Sequence, residues 1–147
     1  MTDPTPIDPA SVPAVPIFAQ VGLVALGGAL GATARFAVSL AFARPGFGFP
    51  YATLAVNTAG CLLLGFGMAW IVHRPGPDSL ASEILRLGLG LGFLGAFTTF
   101  STFGYETLSL MQQGKPASAG LNVAANVIAS LAAVALGWTL GRAVVPA

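Results

Sequence analysis

Four apolar runs, each long enough to cross a bilayer and separated by proline- and glycine-rich breaks, leave this chain few ways to fold. They occupy residues 17–42, 51–72, 84–111 and 117–145. A transmembrane helix needs about 20 apolar residues. In lipid a helix also satisfies its own backbone, which an open strand cannot do. Arg44-Pro45-Gly46, His73-Arg74-Pro75-Gly76-Pro77 and Gln112-Gln113-Gly114-Lys115-Pro116 interrupt the runs. Breaks of this composition predict short turns between packed helices. Only 7% of the residues are charged, against roughly a quarter in soluble domains, which excludes an ordinary soluble fold. The expected fold is all-α and membrane-integral, with four spans over 17–147 and both termini on one side.

Residues 1–16 differ in kind. They hold five prolines and two aspartates and lack the basic start of a signal peptide. A disordered tail is expected there. The net charge of +1 argues against a nucleic-acid partner. Cys61 is the sole cysteine and lies inside an apolar run, so no intrachain disulfide can form.

Orientation is nearly undecided. Arg74, Arg86 and Arg142 fall on the side of the termini, and Arg35, Arg44 and Lys115 on the other. Lys and Arg bias sets membrane topology. Three against three leaves two readings open: a weak bias that other signals resolve, or a chain that inserts both ways and pairs as an antiparallel dimer. Four short helices are also few to enclose a polar pathway, which favours an oligomer.

Glycines at 27, 28 and 31 in the first span, and at 88, 90, 92 and 95 in the third, predict close helix packing. In the third span they lead into Thr98-Thr99. Glycine and back-bonding threonine both weaken a helix. A break is expected between Gly95 and Thr99. Carbonyls freed there must be buried in protein or line a cavity, where they can bind a cation.

Side chains able to do enzyme chemistry are scarce. His73 stands at a helix end, Asp3, Asp8 and Asp78 in the tail or a loop, and Glu83 at the start of the third span. No Cys/His cluster has metal-ligand spacing, so an enzyme is not expected. The polar groups inside the spans are mostly neutral: Asn57; Thr98, Thr99, Ser101 and Thr102; and Asn122, Asn126 and Ser130, which share one helix face. Each alone reads as interhelical glue. Together they read as a track for a small solute. Amide and hydroxyl hydrogens suit an anion, as do the positive edges of phenyl rings. Phe93, Phe97, Phe100 and Phe103 are spaced as one helical stripe. Phe93 and Phe97 read as packing residues. Phe100 and Phe103, interleaved with hydroxyls, are the candidates to meet an anion. Arg35 either snorkels to the interface or concentrates anions at a pore mouth. Glu106 faces a wet vestibule or pairs with a base, since a charge facing lipid is costly.

Three stretches carry a resemblance: GGALGATARF at 27–36, ATLAVNTAGC at 52–61 and GFLGAFTTFSTFGYET at 92–107. Together they resemble the CrcB/Fluc fluoride channels over about 21–141, and the third stretch is the most specific. The resemblance implies an antiparallel, dual-topology homodimer with two pathways, set in the inner (plasma) membrane of a bacterial-type cell. It implies passive export of cytoplasmic fluoride that rejects chloride. By motif, Asn57 would donate to fluoride, Phe100 and Phe103 would be the pore phenylalanines, and Ser101 and Thr102 would lie beside the path. Asn126 is not carried by motif, but asparagine can also donate, so it would continue the track on the fourth helix. Backbone carbonyls of Gly95 and Thr98, doubled across the dimer axis, would hold a structural sodium ion. Arg35 matches the family's arginine at the end of the first helix. The fourth helix departs from the family, which leads one to expect a tyrosine near Asn122 and a serine or threonine near Asn126.

Two rivals remain in view. A small proton-coupled multidrug transporter, also a four-helix dual-topology dimer, uses a glutamate on the first helix, which has no acid here. A noncatalytic assembly subunit would explain the glycines but not the buried donors beside Phe100 and Phe103.

Overall fold

The computed structural model describes residues 15–43, 48–74 and 76–145. Among these, all regular structure is helical and four segments are long and apolar enough to span a membrane. α1 is Ile17–Ala41 and α2 is Tyr51–His73. The third span, Leu80–Gln112, is built in pieces. These are α3 (Leu80–Leu85), a π-helical stretch (Arg86–Leu94), the single turn α4 (Gly95–Phe97) and α5 (Phe100–Gln112). α6 is Pro116–Ala143. At 25 residues, α1 is roughly 37 Å long at 1.5 Å per residue, enough to cross a core of about 30 Å with some tilt.

The four spans match the apolar runs, with one instructive difference. The third begins at Leu80, four residues before the apolar run at 84. Ser79 starts it: its hydroxyl accepts from the N–H of Ser82 (3.3 Å) and caps the helix. Most of the expected tail, and Arg44, lie outside the described residues. Of that tail Val15 is buried, with its N–H on Glu83 Oε2 (3.3 Å), and the Pro16 carbonyl receives the first turn of α1.

A short turn joins α5 to α6, which pack on each other as expected, but the best-packed helices are not sequence neighbours. α1 packs chiefly on the π-helical stretch and α4, and α2 packs chiefly on α6. Each pair skips one span, so its helices run parallel. The reason lies in where the glycines are. A Cβ on Gly31 would sit 2.1 Å from the carbonyl oxygen of Phe93, and one on Gly137 would sit 2.1 Å from that of Leu62. Only hydrogen fits, and backbone meets backbone along both pairs. The π-helical turn was not foreseen. It ends with the N–H of Gly95 on the carbonyl of Gly90, five residues back. Such widened turns recur at functional sites, and this one leads directly to the break.

Gly137→Ala should therefore cost about 1–3 kcal/mol, as overpacking does, while Gly120→Ala, whose added Cβ meets nothing within 4 Å, should leave stability unchanged or higher. Thermal unfolding in detergent would compare them. Equal melting temperatures would mean that the α2–α6 contact is looser than this packing.

Candidate functional site

The third span breaks at Thr98 and Thr99. Both residues are extended, with ψ of 159° and 116°. Thr98 closes the upstream turn: its N–H and its hydroxyl both donate to the carbonyl of Leu94 (3.1 Å each). Thr99 opens the downstream helix, its hydroxyl accepting from the N–H of Thr102 (3.2 Å) as an N-cap. Gly60 on α2 makes room, because a Cβ there would lie 2.3 Å from Thr98 Cγ2.

Four carbonyls, those of Gly95, Ala96, Phe97 and Thr98, lose their helical donors as a result, and at two of them the donor's new partner is plain. In a continuous helix the N–H of Thr99 would serve Gly95. Here it goes to Asn57 Oδ1 at 2.8 Å. The N–H of Thr102 would serve Thr98, but it goes to the Thr99 hydroxyl. Gly95 and Thr98 are the carbonyls that the family resemblance implies for a cation, and they are two of the four freed here. Gly95 is exposed and Thr98 half-buried, so neither is sealed inside the chain. Among the described residues no cluster of three His, Cys, Asp or Glu side chains forms. Hard oxygen donors for a cation are thus offered by the backbone at the break.

Asn57 clasps the break from α2. Its Oδ1 takes the Thr99 N–H, and its Nδ2 donates to the Thr99 carbonyl (3.2 Å) and to Asn126 Oδ1 (3.0 Å). Asn126 continues to Asn122, donating to its carbonyl (3.1 Å) and its Oδ1 (2.9 Å). Asn122 donates to the Thr107 hydroxyl at 2.9 Å. Asn122 is fully buried and Asn126 nearly so. The shared face foreseen on the fourth span is real, and it is tied to the break.

An open groove of about 340 Å³ brings Asn57, Phe100, Phe103, Asn126 and Ser130 together beside Thr98 and Thr99. Phe103 is buried, whereas Phe100 is 84% exposed on the chain's surface. Their ring centroids are 5.4 Å apart at 53°. The four phenylalanines do not form one stripe, because the break divides them. Phe93 and Phe97 stack upstream with centroids 5.8 Å apart, and Phe97 is buried as a packing residue. Ser101 is exposed, its Oγ 3.3 Å from the Thr99 hydroxyl.

Thr102 does not line that groove. Its hydroxyl accepts from Thr99 (3.0 Å), and it faces a second groove of about 210 Å³ shared with Arg35, Ser39, Thr53 and Thr99. Arg35 therefore lies in a hydroxyl-lined cleft that reaches the break. Thr53, buried at the end of this cleft, donates to Glu106 Oε1 at 2.9 Å. Glu106 Oε2 is buried with no hydrogen-bond partner among the described residues. Glu106 also lines a groove of about 250 Å³ with Tyr105, Ser109 and Gln113. Thr53 and Thr107 were missed as site residues. Thr53 lies one helical turn before Asn57 on the same face, a spacing that could have flagged it.

A helical membrane protein whose third span opens midway, with its freed backbone held by an amide network that runs into the core, defines a class of interrupted-helix membrane proteins. The comparisons narrow the class. Residues 22–138 match the family described as CrcB-like protein, Camphor Resistance (CrcB), and the chain belongs to that family. It is 45% identical over 127 residues to a Vibrio parahaemolyticus protein, covering 84% of this chain and 94% of the relative. It is 50% identical over 112 residues to an Idiomarina loihiensis protein, covering 76% and 83%. It is 47% identical over 119 residues to a Paracoccus denitrificans protein, covering 81% and 91%. Each relative carries the name Fluoride-specific ion channel FluC. The family resemblance read from three motifs is correct, and the chain stands with channels rather than enzymes.

Asn57→Leu should strip the Thr99 N–H and carbonyl of their partner. Leaving a buried polar group unpaired costs about 1–3 kcal/mol. Chemical unfolding in detergent should show that loss, and wild-type stability would mean that the break does not depend on the clasp.

Proposed function

We propose that this chain forms a passive, fluoride-selective channel that exports cytoplasmic fluoride across the inner membrane, acting as an antiparallel, dual-topology homodimer. The observation that carries the reading is the groove that gathers Asn57, Asn126, Phe100 and Phe103 beside the broken third span. Three features support its chemistry. The donors there are neutral, so an anion can bind and leave. The ring edges of Phe100 and Phe103 add weak positive potential. Arg35, in its hydroxyl-lined cleft, draws anions toward the mouth. Ser101 and Thr102 flank the route, and Glu106 sits at a vestibule with Thr53.

The dimer is supported by what the single chain leaves uncovered. Phe100, Ser101 and Gly95 all sit at the chain's surface beside the break. A second copy would cover a groove whose polar groups lipid cannot satisfy. The three-against-three charge balance allows the antiparallel arrangement. The Gly95 and Thr98 carbonyls, relieved of their helical donors, fit a sodium ion at the dimer centre. Bound there, the ion would supply fixed positive charge at membrane depth and help hold the interface.

Liposomes loaded with fluoride or chloride, made permeable to potassium, should release fluoride quickly and retain chloride. No fluoride release from folded dimers would sink the channel reading. In the same assay Phe100→Ile should slow fluoride efflux roughly 2- to 10-fold, the size of an aromatic-edge contribution. Unchanged efflux would assign Phe100 to packing alone.

For sodium, the melting temperature of the detergent-solubilised dimer should rise with sodium concentration, as linkage requires of an ion that binds only the folded state. N-methylglucamine at matched ionic strength should not raise it. Identical curves in the two salts would remove sodium from the reading.

A further inference from the structure

The half-buried Asn57 and the buried Asn122 and Asn126 form one ladder whose polarity is fixed by backbone groups along it. The N–H of Thr99 can only donate, and it donates to Asn57 Oδ1 (2.8 Å). Asn57 must then turn Nδ2 toward α6, where Asn126 Oδ1 accepts (3.0 Å). Asn126 therefore offers Nδ2 to Asn122 Oδ1 (2.9 Å) and to the Asn122 carbonyl (3.1 Å). Asn122 is left to give Nδ2 to Thr107 Oγ1 (2.9 Å). The Thr107 hydroxyl then passes its hydrogen to the carbonyl of Phe103 (2.8 Å), which can only accept. Amide nitrogen and oxygen are ordinarily assigned from the network alone. Here backbone groups of fixed character stand at both ends. Flipping any one amide would set donor against donor or acceptor against acceptor.

We propose that Asn122 is a positioning residue that fixes the orientation of the Asn57 carboxamide from the far end of this ladder. Asn122 is fully buried, and its hydrogen bonds go to Thr107 and Asn126 rather than to the break. It acts at two removes. By presenting Oδ1 to Asn126 beside its own main-chain carbonyl, it reinforces Asn126 as an acceptor for Asn57. That keeps the Asn57 oxygen on the Thr99 N–H and so keeps this N–H off the Gly95 carbonyl. The ladder joins α5 to α6 at Thr107 and α6 to α2 at Asn126, so a change at one end is felt at the other through hydrogen-bond complementarity. Networks of this kind are worth more than their separate pairs. The consequence for transport rests on the channel reading above, while the ladder itself does not.

Two readouts separate these levels. The first is hydrogen exchange at the Thr99 backbone amide, followed by NMR of the labelled full chain in micelles. Asn122→Leu removes the amide while keeping the number and branching of side-chain heavy atoms. Thr107→Val is nearly isosteric and removes only the hydroxyl anchor, so it guards against a variant that fails to fold. Each should speed Thr99 exchange about tenfold, the scale of one lost buried hydrogen bond, while the amide of Val134, on α6 against α2, keeps its rate. Unchanged Thr99 exchange in both folded variants would overturn the proposal. The second readout is fluoride efflux in a double-mutant cycle of Asn57→Ala and Asn122→Leu, two residues that share no hydrogen bond. Acting through one ladder, the pair should lose little more than either single variant, about tenfold in all. A loss equal to the product of the two single losses would overturn it. If the unmodified protein releases no fluoride, the channel reading fails, and Thr99 exchange alone decides the ladder.

Discussion

A helix interrupted inside a membrane must give its freed backbone groups other partners, because lipid offers none. In this chain Asn57 meets that demand at Thr99, taking the N–H and serving the carbonyl with one side chain. Much else follows from that clasp. It holds the two halves of the third span apart in an extended step. It diverts the donor that would have closed the helix over the Gly95 carbonyl. It also anchors the amide ladder that runs through α6 to Thr107. The Thr99 hydroxyl adds the second diversion, capping the downstream helix and leaving Thr98 without its helical donor.

The clasp works only if α2, α6 and the break meet at one depth, and glycine packing provides that. Gly65 of α2 abuts the backbone at Val134 of α6, and Asn57 meets Asn126 eight residues earlier on both helices. Two parallel helices in backbone contact keep one register over such a distance, so the close contact places the amides opposite each other. On the other side, Gly27 and Gly31 seat α1 on the π-helical stretch that leads into the break. The glycines thus position the site. Because they act between helices that are not sequence neighbours, they also explain why the short turns connect helices that pack less closely on each other.

The legible parts of this architecture were those that composition and spacing encode. Four apolar runs announced four spans. The Gly-rich approach to Thr98-Thr99 announced the break, since glycine and back-bonding threonine weaken a helix locally. The four-residue steps of Asn122, Asn126 and Ser130 announced a polar face. The rest depended on partners distant in sequence. No local pattern says that Asn57 will face Thr99, forty-two residues away, or that Thr102 will face Arg35 rather than Phe100. The phenylalanine stripe failed for a related reason. Its spacing assumed a continuous helix through the very residues where a break was expected, and the extended step at Thr98 and Thr99 splits it into two pairs. The start of the third span was missed because Ser79, a polar cap, lies outside any hydropathy pattern.

The choice of amides over charges at the centre of this site has a physical logic. A buried charge without a partner is strongly penalised in lipid, and a paired one is fixed in place. A carboxamide carries both a donor and an acceptor, so a run of them can satisfy itself with no net charge. The ladder does so here, and both Asn57 and Asn126 have two acceptors within the protein. On the proposed reading, an anion at the groove beside Phe103 that takes a hydrogen bond from Asn57 or Asn126 would have to exchange with one of those acceptors. Binding would then be offset by a broken internal hydrogen bond, which keeps the site shallow. A shallow site suits conduction, because an ion that is held weakly can leave. The same exchange disfavours solutes that accept hydrogen bonds poorly, since they cannot compensate the bond they displace. Selectivity and release would both follow from one property of the ladder: the donors of Asn57 and Asn126 are already in use.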